Sequence, residues 1–304
     1  MNEVITIDLG SNSFRVLKYD CKNHKILDEY HQVVGLADGL IKTGFISIDA
    51  QKRVVEALSI ASKKLEFNPK DAICVTTAAA RKAINSKEVL NYFYEKTGAK
   101  FEIIDAFEEA RLTHLAVKYA LKREKISNEN FMILDIGGGS TELTISNKDG
   151  FFSKSFDFGI VTMTQKHLEN SNVFEDLENR KKEIEEFIKD SHIDLTNYIF
   201  VATAGTPTTI AAVKKGMTYF NYDKEKVNGT VLNLEDLENS LEILRTSSQE
   251  DMIKLVGKGR VEFLEVGTYI YRTFFEALNK KESIVLDDGL REGVAVNYCI
   301  NCKC

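Results

Sequence analysis

Phe131-Met-Ile-Leu-Asp135-Ile-Gly137-Gly138-Gly139-Ser140-Thr141-Glu142 is the stretch from which the rest of the chain is read. Its opening apolar run reads as a buried strand entering a tight turn. Three glycines in a row remove every Cβ from that turn, so backbone amides can come close to an anion and point at it. Asp135 at the mouth of the turn and Glu142 beyond it are hard oxygen ligands of the kind a divalent cation takes. Amides beside a carboxylate-held cation are what a phosphate chain needs. A plain hairpin with a glycine turn is the alternative for a single copy.

A second copy exists. Ile5-Thr-Ile-Asp8-Leu-Gly10-Ser11-Asn12-Ser13-Phe-Arg15-Val-Leu aligns with Ile133 to Ile145, so that Asp8 matches Asp135, Gly10 matches Gly137 and Ser13 matches Ser140. Arg15 falls where Glu142 stands. Each copy reads as strand, polar turn, strand. Two such hairpins in tandem half-domains, facing across a cleft, could grip a phosphate chain from both sides.

The 304 residues, 43% of them apolar and 28% charged, suit a globular chain with a sizeable core, and the length favours two domains. A net charge of −6 argues against a general nucleic-acid binder. The N-terminus runs straight into a strand, and no apolar run approaches the roughly 18 residues of a membrane span. A cytoplasmic, membrane-free protein is expected. The cysteines, Cys21, Cys74, Cys299, Cys302 and Cys304, are odd in number and point to reduced thiols. Cys299-x-x-Cys302-x-Cys304 reads as a frayed tail with incidental thiols rather than a soft-metal site.

Outward from the hairpins, 25–34 reads as a third strand. A helix begins near Asp49 and ends before Asn68-Pro69. Strands over 72–76 and 101–104 and a helix over 107–121 follow. The second half repeats the plan with strands at 131–136, 141–147, 151–157 and 198–203 and helices near 160–169 and 174–190. A Gly205-Thr206-Pro turn and several helices then lead to a strand at 283–286. Helices alternating with short strands mean an α/β layer fold. The polar segment 122–130 is the expected crossing, giving domains 1–122 and 123–304, with a C-terminal helix of about 290–304 able to pack back on the first.

Glu108-Glu109-Ala-Arg111 opens the helix after Asp105; helix capping explains the acids, and a water-activating carboxylate is the functional alternative. Arg15 and Arg81 are candidate phosphate clamps, because the guanidinium fork matches phosphate oxygens, and a surface ion pair is the alternative for each. Gly205 and Thr206 stand at a strand-to-helix turn, a natural anion or nucleoside site. Arg291, in Asp287-Asp-Gly289-Leu-Arg-Glu-Gly293, is either ion-paired or lines a cleft. The apolar helix 261–278 fits either core or a homodimer interface. The five histidines show no metal or triad spacing, and there is no P-loop or dinucleotide fingerprint.

Asp8-Leu-Gly-Ser-Asn-Ser-Phe-Arg15, Glu108-Glu-Ala-Arg111, Asp135 to Glu142, Thr203-Ala-Gly-Thr206 and Gly289 to Gly293 together resemble the exopolyphosphatase/guanosine pentaphosphate phosphohydrolase (Ppx/GppA) family, from residue 5 to about residue 295. The resemblance implies an α/β fold of two ribonuclease-H-like domains of the actin-like ATPase superfamily flanking a central cleft. It implies Glu109 as catalytic base, Asp135 and Glu142 as catalytic and magnesium carboxylates with Asp8 beside them, and Arg15 and Arg81 on phosphate. It also implies phosphate loops at Gly10, Ser11, Asn12 and Ser13, and at Gly137, Gly138, Gly139, Ser140 and Thr141. Two positions depart from the usual pattern: Lys82 and its neighbours lack the serine and aspartate after Arg81, and Glu262 replaces an aspartate near Arg260. The implied activity is magnesium-dependent release of terminal phosphate from inorganic polyphosphate or guanosine pentaphosphate. A phosphotransferase of the acetate- or sugar-kinase type and a non-catalytic nucleotide-gated module are the rival readings.

Overall fold

A computed structural model describes residues 3–167 and 173–302. The chain divides into two compact units, Met1–Val117 with Asp288–Cys304, and Lys118–Asp287. The division falls ahead of the 122/123 boundary read from the sequence, and residues 288–304 belong to the first unit.

The first unit runs β1 (Glu3–Leu9), β2 (Ser13–Asp20), β3 (Lys25–Val33), α1 (Leu40–Thr43), α2 (Ile48–Lys64), β4 (Ile73–Thr76), α3 (Ala78–Lys82), α4 (Ser86–Thr97), β5 (Phe101–Ile103) and α5 (Ala106–Arg123), whose last turns lie in the second unit. The second unit continues with β6 (Phe131–Ile136), β7 (Thr141–Asn147), β8 (Gly150–Phe156), α6 (Ile160–His167), α7 (Val173–Asp190), β9 (Ile199–Thr203), α8 (Gly205–Lys214), α9 (Lys224–Val227), β10 (Thr230–Asn233), α10 (Leu234–Thr246), α11 (Gln249–Val256), α12 (Val261–Ala277) and β11 (Glu282–Val285). The chain then returns to the first unit as α13 (Leu290–Asn301). The end of the helix expected over 160–169 lies outside the described residues.

The sheets carry the internal repeat further than the hairpins do. Their orders are β3-β2-β1-β4-β5 and β8-β7-β6-β9-β11, with β10 added antiparallel at the far edge. In each, the first strand pairs antiparallel with the second and parallel with the fourth. β10 was not read from the sequence, because four alternating residues (Thr230 and Leu232 buried, Val231 and Asn233 exposed) sit within a run of helical patterns. The Gly205-Thr206-Pro207 segment is the first turn of α8 rather than a turn ahead of it. A proline so early in a helix removes a donor that has no intrahelical acceptor in any case.

Local chemistry explains the element ends that position the site. α2 starts where the Ser47 side chain accepts from the Ala50 amide at 3.2 Å, and buries Val54, Ala57, Leu58 and Ala61. In the second unit, α12 is core: Leu264, Ile270, Tyr271, Phe274 and Phe275 are buried. Phe274 meets Phe156 edge-on at 5.7 Å, and Phe275 meets Phe200 at 5.2 Å. That settles the alternative left open for this helix. No described helix is long and apolar enough to cross a membrane.

The expectation of reduced thiols fails at two positions. Cys21, just past β2, forms a disulfide with Cys299 in α13, with Cα atoms 5.1 Å apart across 278 residues of sequence. The cause is the return of α13 onto the first sheet, where Val4, Leu17, Tyr19 and Cys21 pack with Ala295 and Val296. Residues near 299 are therefore held in the fold and are not a frayed end. Cys74 and Cys302 are free, burial pushes the Cys74 thiol up to about 12, and Cys304 lies outside the described residues.

Candidate phosphate-handling site

In the first unit, Leu9 faces Phe14 across the hairpin, and the Gly10 amide donates to the Ser13 carbonyl at 2.9 Å to close the turn. The Ser11 carbonyl accepts from Ala37, and the Asn12 carbonyl accepts from Val34 and Gly35, all between 2.8 and 2.9 Å. In a trans peptide the C=O and the following N–H point opposite ways. Tying these carbonyls to the segment after β3 therefore turns the Asn12 amide the other way. Among the described residues, the Ser11 and Asn12 amides donate to no backbone carbonyl, which is how a backbone nest presents itself to an anion.

The second unit builds the same cradle. Ile136 faces Thr141, and the Gly137 amide donates to the Ser140 carbonyl at 3.0 Å. The Gly137 carbonyl accepts from Ile160, and the Gly138 carbonyl accepts from Val161 and Thr162 at 2.8 and 3.2 Å. The first turn of α6 thus holds this loop as the segment after β3 holds the other. Close approach depends on Gly159, where a Cβ would lie 2.6 Å from the Gly137 carbonyl oxygen and 2.7 Å from the Gly138 carbon. The sequence reading missed Gly159; the signal was a glycine just ahead of a helix start. Thr141 is fully buried, its Oγ1 donating to the Phe158 carbonyl at 2.7 Å. It braces the loop.

One pleat back from each cradle lies a row of directly opposed residues. In the second unit the row is Asp135, Glu142 and Ser155. Opposed residues on neighbouring antiparallel strands share a face, with Cβ atoms about 4.5–5.5 Å apart, and like charges placed so are destabilising. Glu142 is only 3% exposed, and Ser155 Oγ donates to its Oε1 at 2.7 Å. Two carboxylates side by side suit a cation. No group of three or more His, Cys, Asp or Glu able to hold a metal exists among the described residues. Magnesium commonly takes one or two protein carboxylates and completes its shell with water and substrate phosphate, and this pair is a donor set of that kind.

In the first unit the corresponding row is Asp8, Arg15 and His31. Arg15 lies on one face with Ser13 and Leu17, as the strand alternation requires. Asp8 faces Arg15 and belongs to a different unit from Asp135 and Glu142. The sequence reading left His31 unassigned.

The acidic pair of α5 divides its work. Glu108 takes both Arg111 Nε and Nη2, at 2.7 and 2.8 Å, and that hydrogen bonding raises the Arg111 pKa. Arg111 Nη2 also donates to Asn297 of α13 at 3.0 Å. The Glu108 amide is capped by Asp105 Oδ1 at 2.8 Å, but its own carboxylate goes to Arg111, so that ion pair, rather than capping, accounts for Glu108. Capping does not explain Glu109 either, whose Oε2 accepts from Arg81 Nη1 at 2.8 Å; Arg81 also donates to the Ile104 carbonyl at 2.9 Å. These side chains are 12% and 21% exposed. Arg81 therefore holds Glu109, a partner that sequence reading did not give it.

One other segment proves structural. Arg291 is 5% exposed and ion-paired, to Glu292 at 2.8 Å and to Glu29 at 2.7 Å. A Cβ on Gly293 would fall on the Leu112 carbonyl oxygen, so this glycine lets α13 lie against α5. Elsewhere, Thr206 is buried, its side chain packed against Gly267. Ahead of it, Ala204 has φ 73° and ψ −169°, a region nearly reserved for glycine. Such strain at a strand-to-helix turn marks a functional position in many folds.

Two α/β units that repeat one strand order and one anion-cradling hairpin, with carboxylates beside one cradle and an arginine beside the other, define a phosphate-handling protein. The chain belongs to the Ppx/GppA phosphatase family, whose model matches residues 16–300. It is 25% identical to exopolyphosphatase 2 of Mycobacterium tuberculosis over 320 residues, covering 98% of each chain. It is 26% identical to a bifunctional 3-dehydroquinate synthase/phosphatase of Fusobacterium nucleatum over 299 residues, spanning 44% of that longer protein. Among solved structures, an Aquifex aeolicus Ppx/GppA family member superposes with a TM-score of 0.75 at 28% identity, with 99% of both chains covered. An exopolyphosphatase from Cytophaga hutchinsonii, at 22% identity and TM-score 0.82, shares the fold over 99% of each chain. The architecture is an α/β fold of two units with one strand plan, shared with the Aquifex aeolicus family member, and the protein is a member of a phosphatase family.

Proposed function

We propose that the protein removes the terminal phosphate from a linear phosphoanhydride chain, with inorganic polyphosphate favoured over guanosine pentaphosphate. The observation that carries this is the pair of matched cradles backed by unlike rows, one with Arg15 and one with Asp135 and Glu142. The full-length match to an exopolyphosphatase supports the choice of polyphosphate.

In this reading the amides of residues 10–13 and 137–140 hold phosphoryl oxygens, and Arg15 adds a fixed positive charge. Asp135 and Glu142 would hold magnesium, whose charge would offset the charge developing on the phosphoryl oxygens. Glu109 accepts a proton from the attacking water as the new P–O bond forms and the bridging P–O bond breaks. The products are inorganic phosphate and a chain one phosphate shorter. Catalysis then rests on alignment and fixed charge more than on covalent participation by the protein.

Phosphate release measured side by side from tripolyphosphate, long polyphosphate and guanosine pentaphosphate, with and without magnesium, tests the reading. Release without any acceptor is expected from at least one substrate, and only with magnesium; chain shortening that requires an acceptor alcohol or carboxylate, with the phosphoryl group passing to that acceptor, would make the protein a phosphotransferase. Glu109→Gln should lower kcat by about 100-fold or more while tripolyphosphate still binds. Normal turnover in that variant removes Glu109 from the base role.

A further inference from the structure

The first-unit row that backs the cradle ends in a histidine at the edge of the sheet. β3 is the edge strand, and its His31 lies directly opposite Arg15, which lies directly opposite Asp8. Opposed positions share a face and place Cβ atoms about 4.5–5.5 Å apart. The end of β3 is tied to the cradle, since the Val34 and Gly35 amides both donate to the Asn12 carbonyl, at 2.8 and 2.9 Å. The next row down the same face is Thr6, Leu17 and Glu29, and α13 covers it: Thr6 Oγ1 donates to the Arg291 carbonyl at 3.0 Å, and Glu29 pairs with Arg291 at 2.7 Å. His31 is half-buried between that cover and the cradle, two residues, or about 7 Å, along the strand from Val33 opposite Ser13. That offset is on the scale of a short run of linked phosphoryl groups. The second unit shows what this strand position does there, where Ser155 reaches across to Glu142 at 2.7 Å.

We propose that His31 binds the phosphate chain beside Arg15, at a phosphoryl group that is held but not transferred. The imidazole supplies ring N–H donors, and Arg15 supplies the fixed charge. His31 is thus an affinity and chain-register residue of the site and takes no part in proton transfer to the nucleophile. The assignment rests on the phosphohydrolase reading for its kinetic consequences, though not for its binding consequence.

The experiment uses the full chain and tripolyphosphate, measuring phosphate release with saturating magnesium and, separately, Kd by calorimetry in the Glu109→Gln background. His31→Ala should raise KM and Kd by about tenfold, the scale of a lost hydrogen bond to a charged group, with a much smaller change in kcat. His31→Lys should restore both, because a lysine can donate to phosphate from the same place. The proposal is overturned by an unchanged Kd in His31→Ala. It is equally overturned if kcat falls without a change in KM, or if His31→Lys binds as weakly as His31→Ala while folded. Should the alanine variant fail to fold, the Kd of His31→Gln against that of His31→Lys decides in the same way. If the unaltered protein binds tripolyphosphate but releases no phosphate, the hydrolase reading fails while the Kd comparison still judges His31. If it does not bind at all, both fall.

Discussion

Arg81 and Glu109 pose the sharpest question at the scale of single residues. A guanidinium 2.8 Å from the proposed base holds that carboxylate in one place. Arg81 also bonds the Ile104 carbonyl at 2.9 Å, so it is itself anchored at the end of β5. An arginine that served only as a phosphate clamp would leave kcat largely alone when shortened. One that positions the base should affect kcat as well. Arg81→Ala is therefore expected to lower kcat by about tenfold to 100-fold, and Arg81→Lys to recover only part of the loss, since lysine lacks the planar fork. An effect confined to KM would return Arg81 to phosphate binding alone. The sequence showed which residue types were present, from the two acids of the α5 start to the arginine after β4, but not that Glu108 belongs to Arg111 and Glu109 to Arg81. Those pairings depend on which side of a helix turn faces which strand end, and no local pattern encodes that.

At the scale of elements, the two hairpins were legible because a glycine-rich polar turn between two alternating runs is a local signal. What supports them was not. Gly159 and the segment after β3 reach the cradles from 21 to 26 residues away, Ser155 reaches Glu142 across 13, and the Cys21–Cys299 bond spans 278 residues. The cradles also differ in how far they need their glycines. A Cβ at Gly137 would sit 2.8 Å from the Ser140 carbonyl oxygen, a backbone atom that must then shift; at Gly10 the corresponding distance to the Ser13 oxygen is 3.6 Å, an ordinary contact. Gly137→Ala should thus cost about 1–3 kcal/mol of stability and weaken tripolyphosphate binding, whereas Gly10→Ala should stay within about 1 kcal/mol. Thermal unfolding of the pair checks this, and equal losses would mean the two turns are equally tolerant. The disulfide fastens α13, which carries Arg291 and Gly293, onto the first sheet. Changing both Cys21 and Cys299 to Ser is expected to lower stability by roughly 2–4 kcal/mol. Dithiothreitol should reproduce that loss in the unaltered protein and do nothing further to the double variant. A dithiothreitol effect of equal size in both would show that the bond between Cys21 and Cys299 is not its cause.

At the scale of the whole molecule, one strand plan occurs twice with the chemistry divided. Both units place a tight turn on the same two strands, close it with the same Gly-to-Ser hydrogen bond, at 2.9 and 3.0 Å, and back it with a row of three opposed residues. The row reads Asp, Arg, His in the first unit and Asp, Glu, Ser in the second. A repeat whose frame is kept while the facing groups differ, arginine and histidine against glutamate and serine, is what the proposed division of roles would use: phosphoryl oxygens beside Arg15, magnesium beside Asp135 and Glu142. Separate roles predict separate kinetic signatures. Glu142→Gln keeps the shape and the Ser155 contact but removes the charge of the proposed metal ligand, so the magnesium concentration for half-maximal phosphate release should rise by at least about tenfold. Arg15→Ala should raise KM for tripolyphosphate by a comparable factor and leave the magnesium requirement, measured at saturating substrate, within about twofold, because an arginine has no lone pair to offer a cation. Magnesium titrations of the two variants at several substrate concentrations separate these effects. If Arg15→Ala moves the magnesium dependence as far as Glu142→Gln does, the rows do not divide metal from phosphate, and the repeat must be explained by a single mixed site with both rows on the same ligand.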